Sequence, residues 1–344
     1  MRSHRFLAGV VAAVAAVALT ACGSDSDEPA ASAPSGAAGD TFPVSITHAL
    51  GTTTIPAKPV RVATVAWANH EVPLALGVVP VGLAKANFAD EDGDGYLPWA
   101  GDKIKQLGGT APVLFDETDG IDFEAVANTQ PDVILAAYSG LTQQDYDTLS
   151  QIAPTVAYPT TAWSTPWRDW IALESKALGL SAQGDALIAD IEGKIKAEVA
   201  KYPALAGKSA MFMTHVDQTD LSKFSFYTTH DTRGAYFADL GLTTPPSIAE
   251  LSGTTDQFAL SVSAEQVDKL ADVDIIVTYG DAQMLAKMQA DPLLSKIPAV
   301  KRGSVVALDG VSTIGAAANP TPLAVPYVVS DYVKLLADAA AKVS

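Results

Sequence analysis

The sequence predicts an α/β protein of two lobes, each built on a mostly parallel sheet, joined by one long rigid helical segment. Three observations carry that reading. Short apolar runs of strand character alternate with helix-like runs on both sides of the chain's middle, and the middle itself, residues 165–203, keeps helical spacing almost throughout. A chain of 344 residues is also long enough to bury two cores. Strands separated by helical crossovers pair in parallel, because a parallel pair needs a connection of a dozen residues or more.

The middle stretch has the punctuation of two consecutive helices. Thr165 is placed to cap a helix and Pro166 to fill its first position, where a missing N–H costs nothing. Trp167, Trp170, Ile171, Glu174 and Leu178 follow at helical spacing up to Gly179, a natural stop. Ser181 can cap a second segment, whose apolar stripe is Leu187, Ile188, Ile191, Ile195, Val199 and Tyr202. Asp190/Lys194 and Glu192/Lys196 are spaced as ion pairs on its wet side, and Pro203 ends it.

At the start, Arg2 and Arg5 precede an apolar run over residues 6–19, the pattern of a signal peptide occupying residues 1–21. It closes on Leu19-Thr20-Ala21-Cys22, which resembles the bacterial lipobox and makes Cys22 the expected site of lipidation and membrane anchoring. Cys22 is the only cysteine, so no disulfide within the chain is available to an exported fold. Residues 22–40, rich in Ser, Ala, Pro, Gly and acid, read as a flexible tether. The formal charge is −17, and loss of the leader makes it more negative. Nucleic acid and anionic lipid would both approach against that field, which argues against them as ligands.

The first lobe, residues 41–164, opens with a hairpin over 42–47 and 52–55, then a strand over 60–66 running into Trp67. A short helix over 69–76 and a strand over 78–83 complete a βαβ unit. An Asp/Gly loop over 90–99 follows, then helix 123–128, strand 133–137, helix 143–151 and strand 155–158. The second lobe, residues 204–344, has strands over 209–215 and 224–228, helices over 232–240 and 264–270, and strands over 274–278 and 305–308. Its terminal helix, 323–341, begins after Pro320 and Pro322 and carries Leu323, Val328, Val333, Leu335 and Leu336 toward the sheet. Both halves are thus Rossmann-like.

Aromatic side chains crowd the strand ends of the first lobe: Trp67, Tyr96, Trp99, Tyr138, Tyr158, Trp163 and Trp167. In open α/β sheets a ligand crevice lies outside the carboxyl ends of the strands, so these rings are expected to line a cleft between the lobes, although any one of them could serve ordinary packing. Phe226, Tyr227, Arg233, Tyr236, Tyr279 and Asn319 hold comparable places in the second half. Arg233 offers a planar fork to a ligand oxygen, with Asp231 and Asp239 as competing partners.

Other signals lead less far. Asp90, Asp92, Asp94 and Gly95 match the opening of a calcium loop, but its twelfth position is Gly101, so the segment reads as an acidic surface turn. His70 with His215 or His230 could bridge the lobes through a metal, yet no two histidines share ligand spacing and His48 sits in the hairpin, so surface or hydrogen-bonded histidines are expected and no metal site. No G-x-S-x-G, P-loop, G-x-G-x-x-G or H-E-x-x-H motif is present.

Several local marks carry a resemblance. They are Gly51-Thr52-Thr53-Thr54-Ile55-Pro56 before Pro59-Val60-Arg61-Val62, Leu76-Gly77-Val78, and Phe123-Glu124 before Pro131-Asp132-Val133-Ile134. Asp239-Leu240-Gly241-Leu242, Ser263-Ala264-Glu265 and Asp274-Ile275-Ile276-Val277 follow in order. Together they resemble bacterial ABC-importer substrate-binding lipoproteins of the iron-siderophore class, over residues 41–341. The resemblance implies capture of a ferric siderophore between the lobes, limited closure about the joining helix, Trp67 in the cleft, and Glu124 and Glu265 as acids that dock on the permease dimer. Thr232 stands where relatives often have Pro before the Arg. The expected protein is a monomeric, lipid-anchored receptor on the outer face of the cell membrane, with no catalysis and no cofactor of its own, since the siderophore itself holds the iron. Haem or cobalamin is the alternative cargo, and a surface-anchored hydrolase the alternative activity.

Overall fold

The computed structural model describes residues 40–90, 92–214 and 222–343. Cys22, the leader and His215 lie outside the described residues. A hairpin of β1 (Val44–His48) and β2 (Gly51–Ile55) comes first, antiparallel with Val44 opposite Ile55. Alternation in β1 turns Val44 and Ile46 inward, where they pack with Val62, Val133 and Leu135 beneath the first sheet.

That sheet comprises β3 (Val62–Thr64), β4 (Gly82–Ala84), β5 (Val113–Phe115), β6 (Val133–Ala136) and β7 (Thr155–Ala157), in the order β5-β4-β3-β6-β7. Every neighbouring pair is parallel. Its strands are apolar on both faces, as a sheet covered on both sides requires.

Two helices then join the halves, Trp167–Ala177 and Ser181–Val199, the second about 28 Å long at roughly 1.5 Å per residue. They pack closely because Gly184 has no side chain: a Cβ there would lie 2.1 Å from Ser175 Oγ. Three expectations are corrected. Thr165 does not cap the first helix, since its hydroxyl donates to the Ala137 carbonyl at 2.6 Å. Asp40, assigned to the tether, belongs to the fold: its carboxylate accepts the Ser181 N–H at 3.0 Å and hydroxyl at 2.6 Å, capping the long helix. Glu192 pairs with Arg168 at 2.6 Å instead of Lys196, whereas Asp190–Lys194 forms as spaced, at 2.6 Å.

The second sheet holds β8 (Ala210–Met213), β9 (Lys223–Tyr227), β10 (Ala259–Ser263), β11 (Ile275–Tyr279) and β12 (Val305–Leu308), ordered β10-β9-β8-β11-β12. Here β8, β11 and β12 are parallel, while β9 runs antiparallel to both its neighbours. The chain between Met213 and Lys223 is too short for a crossover helix, so reversal is the only way to pair. The segment carrying Glu265 is a 3-10 helix, Ala264–Asp272. The final helix, Ala324–Ala340, packs Val325, Val329, Val333 and Leu336 against Ile275 and Val277, while Leu335 faces outward.

The lobes also touch away from the joining helices. Leu74, Leu97, Trp99 and Ala100 of the first lobe share an apolar cluster with Ala316, Ala317, Ala324 and Val328 of the second. Among the described residues no helix is long and apolar enough to cross a membrane.

Candidate ligand-binding cleft

The cleft is built where the strands of the first sheet end. After β3 the chain turns sharply through Ala66 and Ala68, both at φ 60°, a conformation costly for residues with a Cβ. Two side chains hold it there. Asn69, fully buried, donates to the Val65 carbonyl at 2.7 Å and the Tyr138 carbonyl at 2.9 Å, and accepts the Tyr138 N–H at 2.9 Å. Glu117, just beyond β5, accepts the Ala66 N–H at 2.9 Å. The turn leaves the Trp67 ring half-buried at the cleft, edge-on to Phe88 with centroids 6.5 Å apart. Trp163, beyond β7, is brought in beside Gly140, where a Cβ would lie 2.2 Å from its Nε1.

Two cavities meet at these rings. One, of about 320 Å³, lies between the lobes, with Trp67, Phe88 and Trp163 on one wall and Tyr227, Arg233 and Tyr279 on the other. A second, of about 420 Å³, extends behind Trp67 and Trp163 into the first lobe, past Tyr96 to Glu117 and His70. Arg233 is fixed on all sides. Its Nη1 donates to both oxygens of Asp231 at 2.8 and 3.1 Å, its Nε donates to the Tyr279 hydroxyl at 3.2 Å, and its guanidinium lies 4.2 Å over the Tyr227 ring. Thr232 donates to Asn319 at 2.7 Å, and the Asn319 amide donates across the lobes to the Tyr138 hydroxyl at 3.3 Å, which a proline at position 232 could not do. Burial raises the pKa of Tyr138, Tyr227 and Tyr279, so these phenols stay neutral.

Of the residues expected to meet a ligand, Trp67, Tyr138, Trp163, Arg233 and Tyr279 come together at the interlobe cavity, and Tyr96 lines the inner one. Three others are placed elsewhere. Trp99 is buried in the cluster between lobes, its Nε1 donating to Glu71 at 2.6 Å and its ring 5.8 Å from Tyr327. Trp167 is buried with its Nε1 donating to Asp239 at 2.9 Å, and Tyr236 stacks on Tyr332 at 6.4 Å. All three sit on helices, where a ring beyond a strand end can turn into the core. Tyr158 is likewise spent, donating to the Leu141 carbonyl at 3.1 Å.

Asn69, Asn87, Phe88, Glu117 and Phe258 were not anticipated, yet they position or line the cleft. Glu117 had a signal, since it lies just past a strand end; the others sit in turns without pattern. His70 overturns its expectation: it is 5 % exposed, neither ring nitrogen has a partner among the described residues, and burial lowers its pKa to about 4. His230 is exposed, and His48 bonds Thr53 at 2.9 Å. The acidic turn binds itself, with Asp90 accepting the Gly93 and Gly95 N–H groups at 2.9 Å. Glu124 and Glu265 are both exposed, each in the first turn of a helical segment that follows the outermost strand of its sheet, β5 and β10.

Residues 62–311 match the family described as periplasmic binding protein. A Bacillus subtilis (strain 168) relative named "Probable siderophore-binding lipoprotein YfiY" is 27% identical over 277 residues, 77% of this chain and 80% of that one. Among solved structures, PiaA from Streptococcus pneumoniae TIGR4 in complex with ferrichrome is 46% identical with a TM-score of 0.84, covering 87% of this chain and 99% of that one. Staphylococcus aureus SirA complexed with staphyloferrin B, 24% identical, shares the fold with a TM-score of 0.65, covering 87% of this chain and 98% of that one. With the match spanning both lobes and the cleft between them, the chain belongs to the periplasmic binding protein family.

Proposed function

We propose that this protein captures a ferric siderophore of the hydroxamate class between its lobes and delivers it to an ABC permease, without catalysis. The observation that carries the reading is the interlobe cavity: it is walled by rings, and its one cation among the described residues, Arg233, is already matched by Asp231. Three hydroxamates surround Fe³⁺ with hard oxygen donors and leave the iron-bearing core neutral, so the core needs only apolar faces and a few hydrogen bonds. A ferric catecholate is trianionic and would enter a site with no uncompensated positive charge. That PiaA is crystallised with ferrichrome, itself a neutral ferric hydroxamate, supports the same class.

In this reading Trp67, Trp163 and Phe88 stack on the organic shell from one side, while Tyr138, Arg233 and Tyr279 offer donors to its oxygens. Cys22 carries the lipid that holds the receptor at the outer face of the membrane, and Glu124 and Glu265 meet the permease. Tryptophan quenching of the full chain by a panel of ferric siderophores tests it. Ferrichrome should bind with submicromolar Kd, and Trp67→Ala should weaken it by about 1–3 kcal/mol. Tighter binding of a ferric catecholate, or a sharpened Soret band with haem at low-micromolar Kd, would overturn the cargo assignment.

A further inference from the structure

The inner cavity has features that a neutral iron complex lodged between the lobes does not use. Glu117 is fixed by the Ala66 N–H on Oε2, while Oε1 is buried and has no partner among the described residues. His70, on the same cavity, is also buried with both ring nitrogens unpartnered. Each such group costs free energy unless something from outside satisfies it. Burial holds the Glu117 carboxyl up at about 7 and keeps His70 neutral, so both offer acceptors, and the cation that lines the cavity among the described residues, Lys85, is exposed.

The charges at its mouth have the same bias. Asp90 and Asp116 lie on the adjoining wall with Glu117, against a single exposed lysine, Lys85, whose charge also acts on Asp116. An ammonium group has three donors and no acceptor, which suits a free carboxylate oxygen in a cavity that a neutral imidazole also lines. The Trp67 and Trp163 rings, which belong to both cavities, stand along the way in and favour a cation passing between them.

We propose that the inner cavity is a second ligand subsite, which takes the pendant ammonium of a ferric hydroxamate with Glu117 as its counter-ion. The inference rests on the hydroxamate reading above: the iron-bearing core stays between the lobes and an amine-bearing arm reaches past Trp67 and Trp163.

The test compares ferrioxamine B, a linear ferric hydroxamate with a free primary amine, with its N-acetylated form, by quenching titration of the full chain. The ammonium form should bind about tenfold more tightly, as expected when a charge-assisted hydrogen bond is available to only one of two ligands. In Glu117→Gln the ratio of the two affinities should fall to about twofold or less, through loss of the counter-ion. Because the first comparison uses two ligands on one protein, it stands whether or not the variant folds. Equal affinity for the two forms, with ferrichrome still bound, overturns the subsite and leaves the hydroxamate reading intact. A tenfold ratio that survives in Glu117→Gln overturns the role of Glu117. Failure of all three hydroxamates to bind overturns the hydroxamate reading and the subsite with it.

Discussion

Glu71 is a fully buried carboxylate with both oxygens in use. Oε1 accepts the Trp99 indole N–H at 2.6 Å, and Oε2 accepts the Leu323 and Ala324 N–H groups at 2.8 and 3.4 Å, at the start of the last helix of the other lobe. Loss of water outweighs these donors and raises its pKa from 4.5 to about 7. A carboxyl that holds its proton more tightly when folded gives stability that is full below its unfolded value and is lost as pH rises through the folded one. Between pH 5 and pH 8 the melting temperature should therefore fall, Glu71 accounting for on the order of 2–3 kcal/mol of the change. Glu117, raised to about 7 by burial, adds to the same slope. Denaturant unfolding across that range should show a flatter profile for Glu71→Gln; an unchanged slope would mean that Glu71 titrates as an exposed acid does.

At the level of elements, the cleft depends on how closely two loops approach. The Trp163 N–H donates to the Ser139 carbonyl at 3.0 Å, and its ring lies against Gly140, so a methyl at position 140 must displace the indole. Gly140→Ala should weaken cargo binding by about tenfold, the worth of a well-placed ring, with little change in melting temperature. Quenching titration reads this directly, and undiminished affinity would remove Trp163 from the binding wall. Sequence reading reached the elements that carry their own period or punctuation: β6, β7, helix Gln143–Ser150 and helix Ser181–Val199 all lie close to their expected bounds. It missed β5, three residues between Pro112 and Asp116, because only pairing with β4 makes them a strand. Helix Pro98–Leu107 hid behind the Asp/Gly loop, and β10 is a strand by virtue of its pairing with β9. The rings divided on the same line. Those following a strand end, Tyr158 excepted, could be placed by topology, whereas Trp99, Trp167 and Tyr236 look identical in one dimension and are turned inward by helical phase.

For the whole molecule, the two exposed acids are one to a lobe, each following an outermost strand, which suits a contact with a transporter built from two like halves. Glu124→Ala and Glu265→Ala together should abolish siderophore uptake in cells while cargo affinity and melting temperature stay within the small limits of surface changes, about 0.5 kcal/mol. Uptake at the wild-type rate in the double variant would refute docking through these residues. Among the described residues the lobes beneath them are linked by the pair of joining helices, by the apolar cluster around Trp99 to which Glu71 bonds, and by the hydrogen bond from Asn319 to Tyr138. A body held at more than one place cannot swing freely about any one of them, which restrains closure of the gap between the lobes to small movements. In the proposed role the gap then gauges cargo by thickness, little of the binding is spent on closing the protein, and the work of release falls to whatever pulls on the lobes from outside.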